Sequence, residues 1–287
     1  MSFPAIKEIQ VAHSPDSDDA FMFYGLATSK IKAPGYKFIH TLTDIETLNR
    51  RAITDAFYDV TAVSFHAYPY LQDNYALMSC GSSMGEGYGP MLVGTRKIGS
   101  GSLQPADLAR LRIAVPGTLT TAYLTLKLFA PEAQTFVVEF DKIIAAVASG
   151  EYDAGLLIHE GQLTYGNEGL QKILDLGQWW RTETSLPLPL GGNAIKRALG
   201  PEAMLTTTQA VRDSIQYALE NRDPALEYAM QFARDLDPNL ANRYVGMYVN
   251  DRTINYGDDG REAIHKLLTM GYERGVIPHK AKVDFVG

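Results

Sequence analysis

A histidine and a glutamate stand at the end of a short apolar run, Asp153-Ala154-Gly155-Leu156-Leu157-Ile158-His159-Glu160-Gly161. The run is bounded by polar residues and glycine and reads as a buried strand over Ala154 to Ile158. In an open α/β sheet the carboxyl ends of the strands face the ligand crevice. An imidazole titrates near neutrality, so His159 is placed to act as an acid or a base. A histidine that merely hydrogen-bonds the next turn would satisfy the same pattern.

Three more loops follow segments that read as strands. His13-Ser14-Pro15-Asp16-Ser17-Asp18-Asp19 gathers carboxylates at Asp16, Asp18 and Asp19. They could hold a cation, but they also suit the cap and first turn of a helix, where its dipole favours negative charge. In Ser64-Phe65-His66-Ala67-Tyr68, the Ser64 hydroxyl could donate to a substrate oxygen and His66 and Tyr68 could line a wall. Core packing accounts for the aromatics equally well. Pro116-Gly117-Thr118-Leu119-Thr120-Thr121-Ala122 combines hydroxyls with backbone N–H groups at a helix start, a carboxylate or phosphate site in form. A plain threonine N-cap at Thr120 is the simpler account of the same residues.

Other chemistries fit poorly. Gly81-Ser82-Ser83-Met84-Gly85 has the spacing of a nucleophile elbow. Gly85, Gly87, Gly89 and Pro90 follow it, where an elbow would need a helix. No Gly-x-Gly-x-x-Gly opens a helix, no Walker loop is present, and no Cys pair, His-x-x-x-His or EF-hand loop offers metal spacing. Neither a cofactor nor a metal is expected.

The elements that must carry these loops alternate. Strands are expected at Ile9 to Ala12, Tyr36 to Leu42 and Val60 to Ser64, with helices over Asp18 to Thr28 and over Asp44 to Ala52, the latter capped by Asp44. After a glycine-rich loop at Gly81 to Pro90, a second series begins. It has strands at Arg112 to Val115, Phe136 to Val138 and Ala154 to Ile158, and helices over Thr120 to Phe129 and Lys142 to Ser149. Such alternation argues for mostly parallel sheets with crossover helices. From Pro201 the pattern turns helical, over Pro201 to Leu219, Pro224 to Leu236, Pro238 to Tyr248 and Gly260 to Arg274. The expected architecture is two α/β lobes, 1–95 plus 195–287 and 96–194, with a ligand cleft between them. Crossings are expected near Val93 to Ser102 and Gly191 to Ile195.

Bulk properties set the outer limits. The chain has 287 residues, 46% of them hydrophobic, a net charge of -7 and a pI near 5.4. That is enough for two modest domains with real cores, and the acidity argues against a nucleic-acid partner. No apolar run is long enough to span a membrane. The start, Met1-Ser2-Phe3-Pro4-Ala5-Ile6-Lys7-Glu8, does not read as a secretory signal, and the single Cys80 has no internal disulfide partner. A cytoplasmic location is expected.

Taken together the loops resemble the 1,4-dihydroxy-6-naphthoate synthase family of the futalosine route to menaquinone. The resemblance lies in Ser14-Pro15 with Asp18-Asp19-Ala20-Phe21-Met22-Phe23, in Gly117 with Thr120-Thr121-Ala122, and in Leu157-Ile158-His159-Glu160-Gly161. It continues in Asp175-Leu176-Gly177-Gln178-Trp179-Trp180 and Leu186-Pro187-Leu188-Pro189-Leu190-Gly191-Gly192-Asn193, covering Ile9 to Met270, with extra residues near Arg96 to Gln104. It implies a periplasmic-binding-protein-like fold of type II with a helical C-terminal region. The implied activity is a cofactor-independent lyase acting on cyclic dehypoxanthinylfutalosine, a small carboxylated substrate. It also implies His159 as general base, with Thr121, Ala122, Asp19 and Ser64 as substrate contacts, to which the strand-end and helix-start positions add Ser14 and Thr120. A chorismate dehydratase-like enzyme and a non-catalytic solute-binding protein are the alternatives.

Overall fold

The computed structural model describes residues 6–95, 104–233 and 236–287. Residues 96–103, which hold most of the expected Val93 to Ser102 crossing and of the Arg96 to Gln104 extension, lie outside them. The described chain forms two compact units. The first comprises residues 1–83, 191–258 and 281–287, the second residues 84–190 and 259–280.

The first stretch runs β1 (Lys7–His13), α1 (Ser17–Ala27), β2 (Tyr36–Leu42), α2 (Ile45–Thr54), β3 (Val60–Ser64), a short α3 (Tyr68–Leu71), β4 (Tyr75–Met78) and β5 (Ser83–Gly85). Helix α2 starts where its sequence says it should, with the Asp44 carboxylate accepting from the Thr47 N–H at 2.9 Å. Helix α1 has hydrophobic residues on nearly every side, and residues 20–26 are all buried, as a helix without a polar face must be. Strand β3, Val-Thr-Ala-Val-Ser, is buried along its whole length, the mark of a strand covered on both faces.

The second stretch runs β6 (Met91–Gly94), α4 (Pro105–Leu108), β7 (Arg112–Val115), α5 (Thr121–Phe129), β8 (Gln134–Val137), α6 (Ile143–Ala148), β9 (Ala154–Leu157), α7 (Gly161–Thr164), β10 (Gln171–Asp175) and α8 (Leu176–Thr184). Then β11 (Leu188–Lys196) leads to α9 (Pro201–Glu220), α10 (Arg222–Ala229), α11 (Pro238–Tyr248), α12 (Asp251–Ile254), α13 (Gly257–Glu273) and β12 (Phe285–Val286). The helix expected to reach Leu236 stops at Ala229 in a 3₁₀ turn over Met230–Phe232.

The sheets are more mixed than the alternation suggests. The first has the order β12-β4-β11-β3-β1-β2, with β5 also paired to β11. Strands β1, β2 and β3 are parallel, but β11 enters antiparallel to both β3 and β4. The second has the order β10-β6-β9-β7-β8; β7, β8 and β9 are parallel, and β6 runs antiparallel to its neighbours β9 and β10. Pro189, Gly191 and Gly192 disguise β11, because residues that normally break a strand lie inside it. The Gly81 to Pro90 stretch, expected to be loop throughout, gives three residues to β5.

Ile9, Val11, Phe21, Phe23, Val60, Val211, Ile215 and Val245 belong to the principal core of the first unit. Leu92, Ile113, Val115, Leu126, Leu156 and Leu176 belong to a core of the second. The final long helix, α13, is counted with the second unit for its latter part. There Gly271 packs close to Leu124 and Ile277, and the Arg274 guanidinium donates to the Leu128 carbonyl at 3.2 Å.

Gly177, in the first turn of α8, shows how closely backbones approach in the second unit. A Cβ there would lie 2.0 Å from the Tyr88 carbonyl carbon and 2.4 Å from the Gly89 nitrogen. Because both obstacles are backbone, Gly177→Ala should cost at least about 1–3 kcal/mol. Gly166→Ala, with nothing within 4 Å, should stay within about 0.5 kcal/mol of wild type. Urea unfolding of the two variants checks the contrast, and equal stabilities would refute it.

Candidate active site

In the first unit, Ser14 follows β1 and Ser64 ends β3, so both stand at the carboxyl edge of adjacent parallel strands. The backbone leaving β1 is held by the loop's own side chains. The Ser14 N–H donates to the Asp19 carboxylate at 2.7 Å, and the Ser14 hydroxyl donates to the Asp16 carboxylate at 2.5 Å. Asp16 is the residue before α1, yet its side chain makes no capping hydrogen bond. The reading of Asp16 as a plain cap is therefore corrected: its carboxylate turns back onto Ser14. Among the described residues no group of three or more His, Cys, Asp or Glu side chains is arranged to hold a metal ion.

Ser64 is held from α2. Its N–H donates to Asn49 Oδ1 at 2.9 Å, and its hydroxyl accepts from Asn49 Nδ2 at 3.0 Å. Tyr68 does not line a wall in the expected way. It is fully buried and its hydroxyl donates to Asp284 at 2.8 Å, where Arg197 also bonds the carboxylate. Burial and the neighbouring Asp284 together push the Tyr68 phenol well above its usual range. His66 is buried and packs edge-on to Tyr70. Ser83, of the discounted nucleophile elbow, lies in β5, with no helix after it.

Sequence reasoning passed over the histidines beside this edge. His13 Nδ1 lies 3.0 Å from the Ser14 carbonyl, and His13 Nε2 lies 3.3 Å from His40 Nδ1. A carbonyl only accepts, so the His13 hydrogen sits on Nδ1 and the His40 hydrogen on its own Nδ1. The His13 ring stacks on Phe23 at 4.5 Å, and His40 meets the same ring edge-on. Burial, with His40 alongside, lowers the His13 pKa to about 3, and burial lowers that of His40 to about 4.

In the second unit, the Thr120–Ala122 turn follows β7 and His159 follows β9, again adjacent parallel strands and the same edge. Thr120 is the N-cap of α5. Its hydroxyl accepts from the Tyr123 N–H at 3.2 Å and donates to the Gly117 carbonyl at 3.1 Å. The Thr121 hydroxyl donates to the Leu190 carbonyl at 2.5 Å. Its hydrogen is thus directed at a carbonyl of the protein. The donors α5 offers there are its first-turn backbone N–H groups, such as that of Ala122.

His159 is half-buried, lies just beyond β9, and has φ of 52°. This left-handed conformation is uncommon outside glycine, though Asn, Asp and His adopt it more readily than most. It turns the chain from β9 into α7, where the Gln162 N–H donates to the His159 carbonyl at 3.2 Å. The imidazole packs edge-on against Phe140, 5.2 Å between centroids. Other family-like residues make contacts within the fold. Asp175 caps α8 by accepting from Gly177 and Gln178, and burial raises its pKa despite those donors. Trp180 is buried and donates to the Pro187 carbonyl at 2.8 Å.

Comparison with known proteins follows this geometry. A family model described as menaquinone biosynthesis matches residues 9–273. A 1,4-dihydroxy-6-naphthoate synthase of Streptomyces coelicolor is 37% identical over 277 residues, covering 94% of this chain and 95% of its own. That of Thermus thermophilus is 36% identical over 281 residues, covering 98% and 100%. The chain belongs to the 1,4-dihydroxy-6-naphthoate synthase family of menaquinone biosynthesis. A crystal structure of a protein from Archaeoglobus fulgidus is 47% identical, with a TM-score of 0.88 over 94% of this chain and 98% of that one. The alkanesulfonate-binding protein SsuA of Xanthomonas axonopodis pv. citri reaches a TM-score of 0.71 at 11% identity, covering 99% and 98%. The fold of this family member is thus periplasmic-binding-protein-like. None of its described helices is long and apolar enough to cross a membrane.

The histidine pair makes stability depend on pH. Between pH 6.5 and 5 the unfolded chain takes up protons at ordinary histidine positions, while native His13 and His40, lowered to about 3 and 4, stay neutral. Proton uptake then favours the unfolded state, so stability is full above about 6.5 and falls as pH drops toward 5. His40→Phe should lose less stability over this interval than wild type, in urea melts at pH 6.5, 5.75 and 5. Parallel losses in the two proteins would contradict the neutral pair.

Proposed function

We propose that this chain is a carbon–carbon lyase converting cyclic dehypoxanthinylfutalosine to 1,4-dihydroxy-6-naphthoate and dihydroxyacetone, with His159 as general base. The observation that carries this reading is the placement of His159. A half-buried imidazole in a left-handed turn closes a strand, in a chain 36% and 37% identical to two 1,4-dihydroxy-6-naphthoate synthases. Removing a proton from the sugar-derived ring and breaking a carbon–carbon bond calls for a base that works near neutral pH, as histidine does. Formation of the aromatic ring supplies the driving force, so the reaction is read as independent of a redox cofactor. The cytoplasm is its proposed location.

For binding, we propose the first-turn N–H groups of α5, reached through Thr120, Thr121 and Ala122, as the seat of the substrate carboxylate. The positive end of the helix dipole and the backbone donors both favour an anion there. Ser14, Asp19 and Ser64 are proposed contacts for the remaining oxygens. The likeness to solute-binding proteins speaks for the fold and not for the activity, since one fold serves many functions.

Incubating the purified protein with cyclic dehypoxanthinylfutalosine and following 1,4-dihydroxy-6-naphthoate by mass spectrometry tests the assignment. Substrate returned chemically unchanged would favour a binding protein. His159→Gln should keep the fold and substrate binding while turnover falls about 10²- to 10⁴-fold. Near-wild-type turnover in a folded variant would remove His159 from the role.

A further inference from the structure

Two buried polar side chains at the first-unit edge are each hydrogen-bonded to a serine. Asn49 is fully buried on α2, and it grips both the N–H and the hydroxyl of Ser64. Asp16, also fully buried, takes the hydroxyl of Ser14. Each contact fixes where a serine hydrogen goes.

The Asn49 amide can be oriented by elimination. A backbone N–H can only donate, so the atom 2.9 Å from Ser64 N is the amide oxygen. The atom 3.0 Å from Ser64 Oγ is then the NH₂, and it donates to the hydroxyl. Ser64 Oγ therefore spends a lone pair on Asn49 and keeps its hydrogen, which has no acceptor on the NH₂ side. Ser14 is the reverse. Its hydroxyl gives its hydrogen to the Asp16 carboxylate and keeps its lone pairs.

We propose that Asn49 and Asp16 are positioning residues that set opposite hydrogen-bond polarities on the two serines, Ser64 as a donor and Ser14 as an acceptor only. This rests on the reading above that both serines contact the substrate. It sorts the substrate's oxygens by class. The oxygen facing Ser64 carries no proton, as in a carboxylate, ketone or ring ether, and the oxygen facing Ser14 belongs to a hydroxyl. A ligand with those groups exchanged would leave a donor facing a donor or a lone pair facing a lone pair, which is costly in a buried site.

Neutron diffraction from crystals of the wild-type protein exchanged into D₂O tests the polarity without any substrate. The deuterium on Ser14 Oγ should point to Asp16, and that on Ser64 Oγ away from Asn49. Either deuterium in the opposite sense overturns the proposal. Kinetics with cyclic dehypoxanthinylfutalosine then tests its use. Asn49→Asp keeps the acceptor for the Ser64 N–H but turns the donor into an acceptor, which captures the Ser64 hydrogen. It should raise KM roughly ten- to a hundredfold with kcat changed less than about threefold. Ser64→Ala should do the same, and the double variant should be no worse than Ser64→Ala alone. Additive losses, or an Asn49→Asp variant with wild-type KM, would reduce Asn49 to a structural tie. Should the buried aspartate prevent folding, the deuterium positions still decide. Should wild type fail to turn the substrate over, the proposed function fails while the polarity remains measurable.

Discussion

At the carboxyl edge of each sheet the strand ends, but the backbone's need for hydrogen bonds does not. The N–H of Ser14 has left the β1 ladder, and Asp19 takes it. The N–H of Ser64 closes β3, and Asn49 takes it. In the second unit the Thr120 hydroxyl takes the Tyr123 N–H as α5 begins, and the Leu190 carbonyl is held by Thr121. Buried backbone groups cannot be left unmatched without a cost comparable to a lost hydrogen bond. The polar side chains that meet this demand are consequently concentrated at the carboxyl edges of the two sheets, where the proposed substrate contacts also lie.

This constraint also explains why polar residues in such a place need not be ligands. Thr120 has both faces of its hydroxyl engaged with its own turn, so its contribution is to fix the helix start. His13 gives its hydrogen to the Ser14 carbonyl and takes one from His40, which works only while the His13 ring is neutral. Burial holds them neutral through the physiological range. His159, the proposed base, stands instead on a left-handed turn with its ring edge-on to Phe140.

How much of this was legible in the residues follows from the range of each interaction. Strand β2, strand β3 and helix α11 match their expected ranges because alternation, β-branching and proline at a helix start are local signals. The cap at Asp44 was readable for the same reason. Strand β11 was not, since its proline and glycines argue for a break and only pairing with β3 and β4 makes it a strand. The strand-end positions of Ser14, Ser64, Thr120 and His159 were legible as positions. Their partners were not: Asn49 lies mid-helix with no spacing rule to tie it to Ser64, and Asp16 looks like any helix cap until its carboxylate is seen facing backward. The direction in which a hydroxyl donates, as at Thr121, is a three-dimensional fact that no motif encodes.

The interleaving of the chain carries a consequence for synthesis. Strand β11 sits between β3 and β4, so a ribosome that has released everything up to residue 187 has still not supplied the strand that joins them. Strand β12, at the far end of the polypeptide, then adds to β4 as the edge of that same sheet. The second unit, although continuous from residue 84 to 190, also draws on residues 259–280. Neither unit can be finished from a contiguous stretch of nascent chain. Vectorial, domain-by-domain folding is closed to this topology, and its long-range pairings must be made late, after the loop-closing entropy has been met without them.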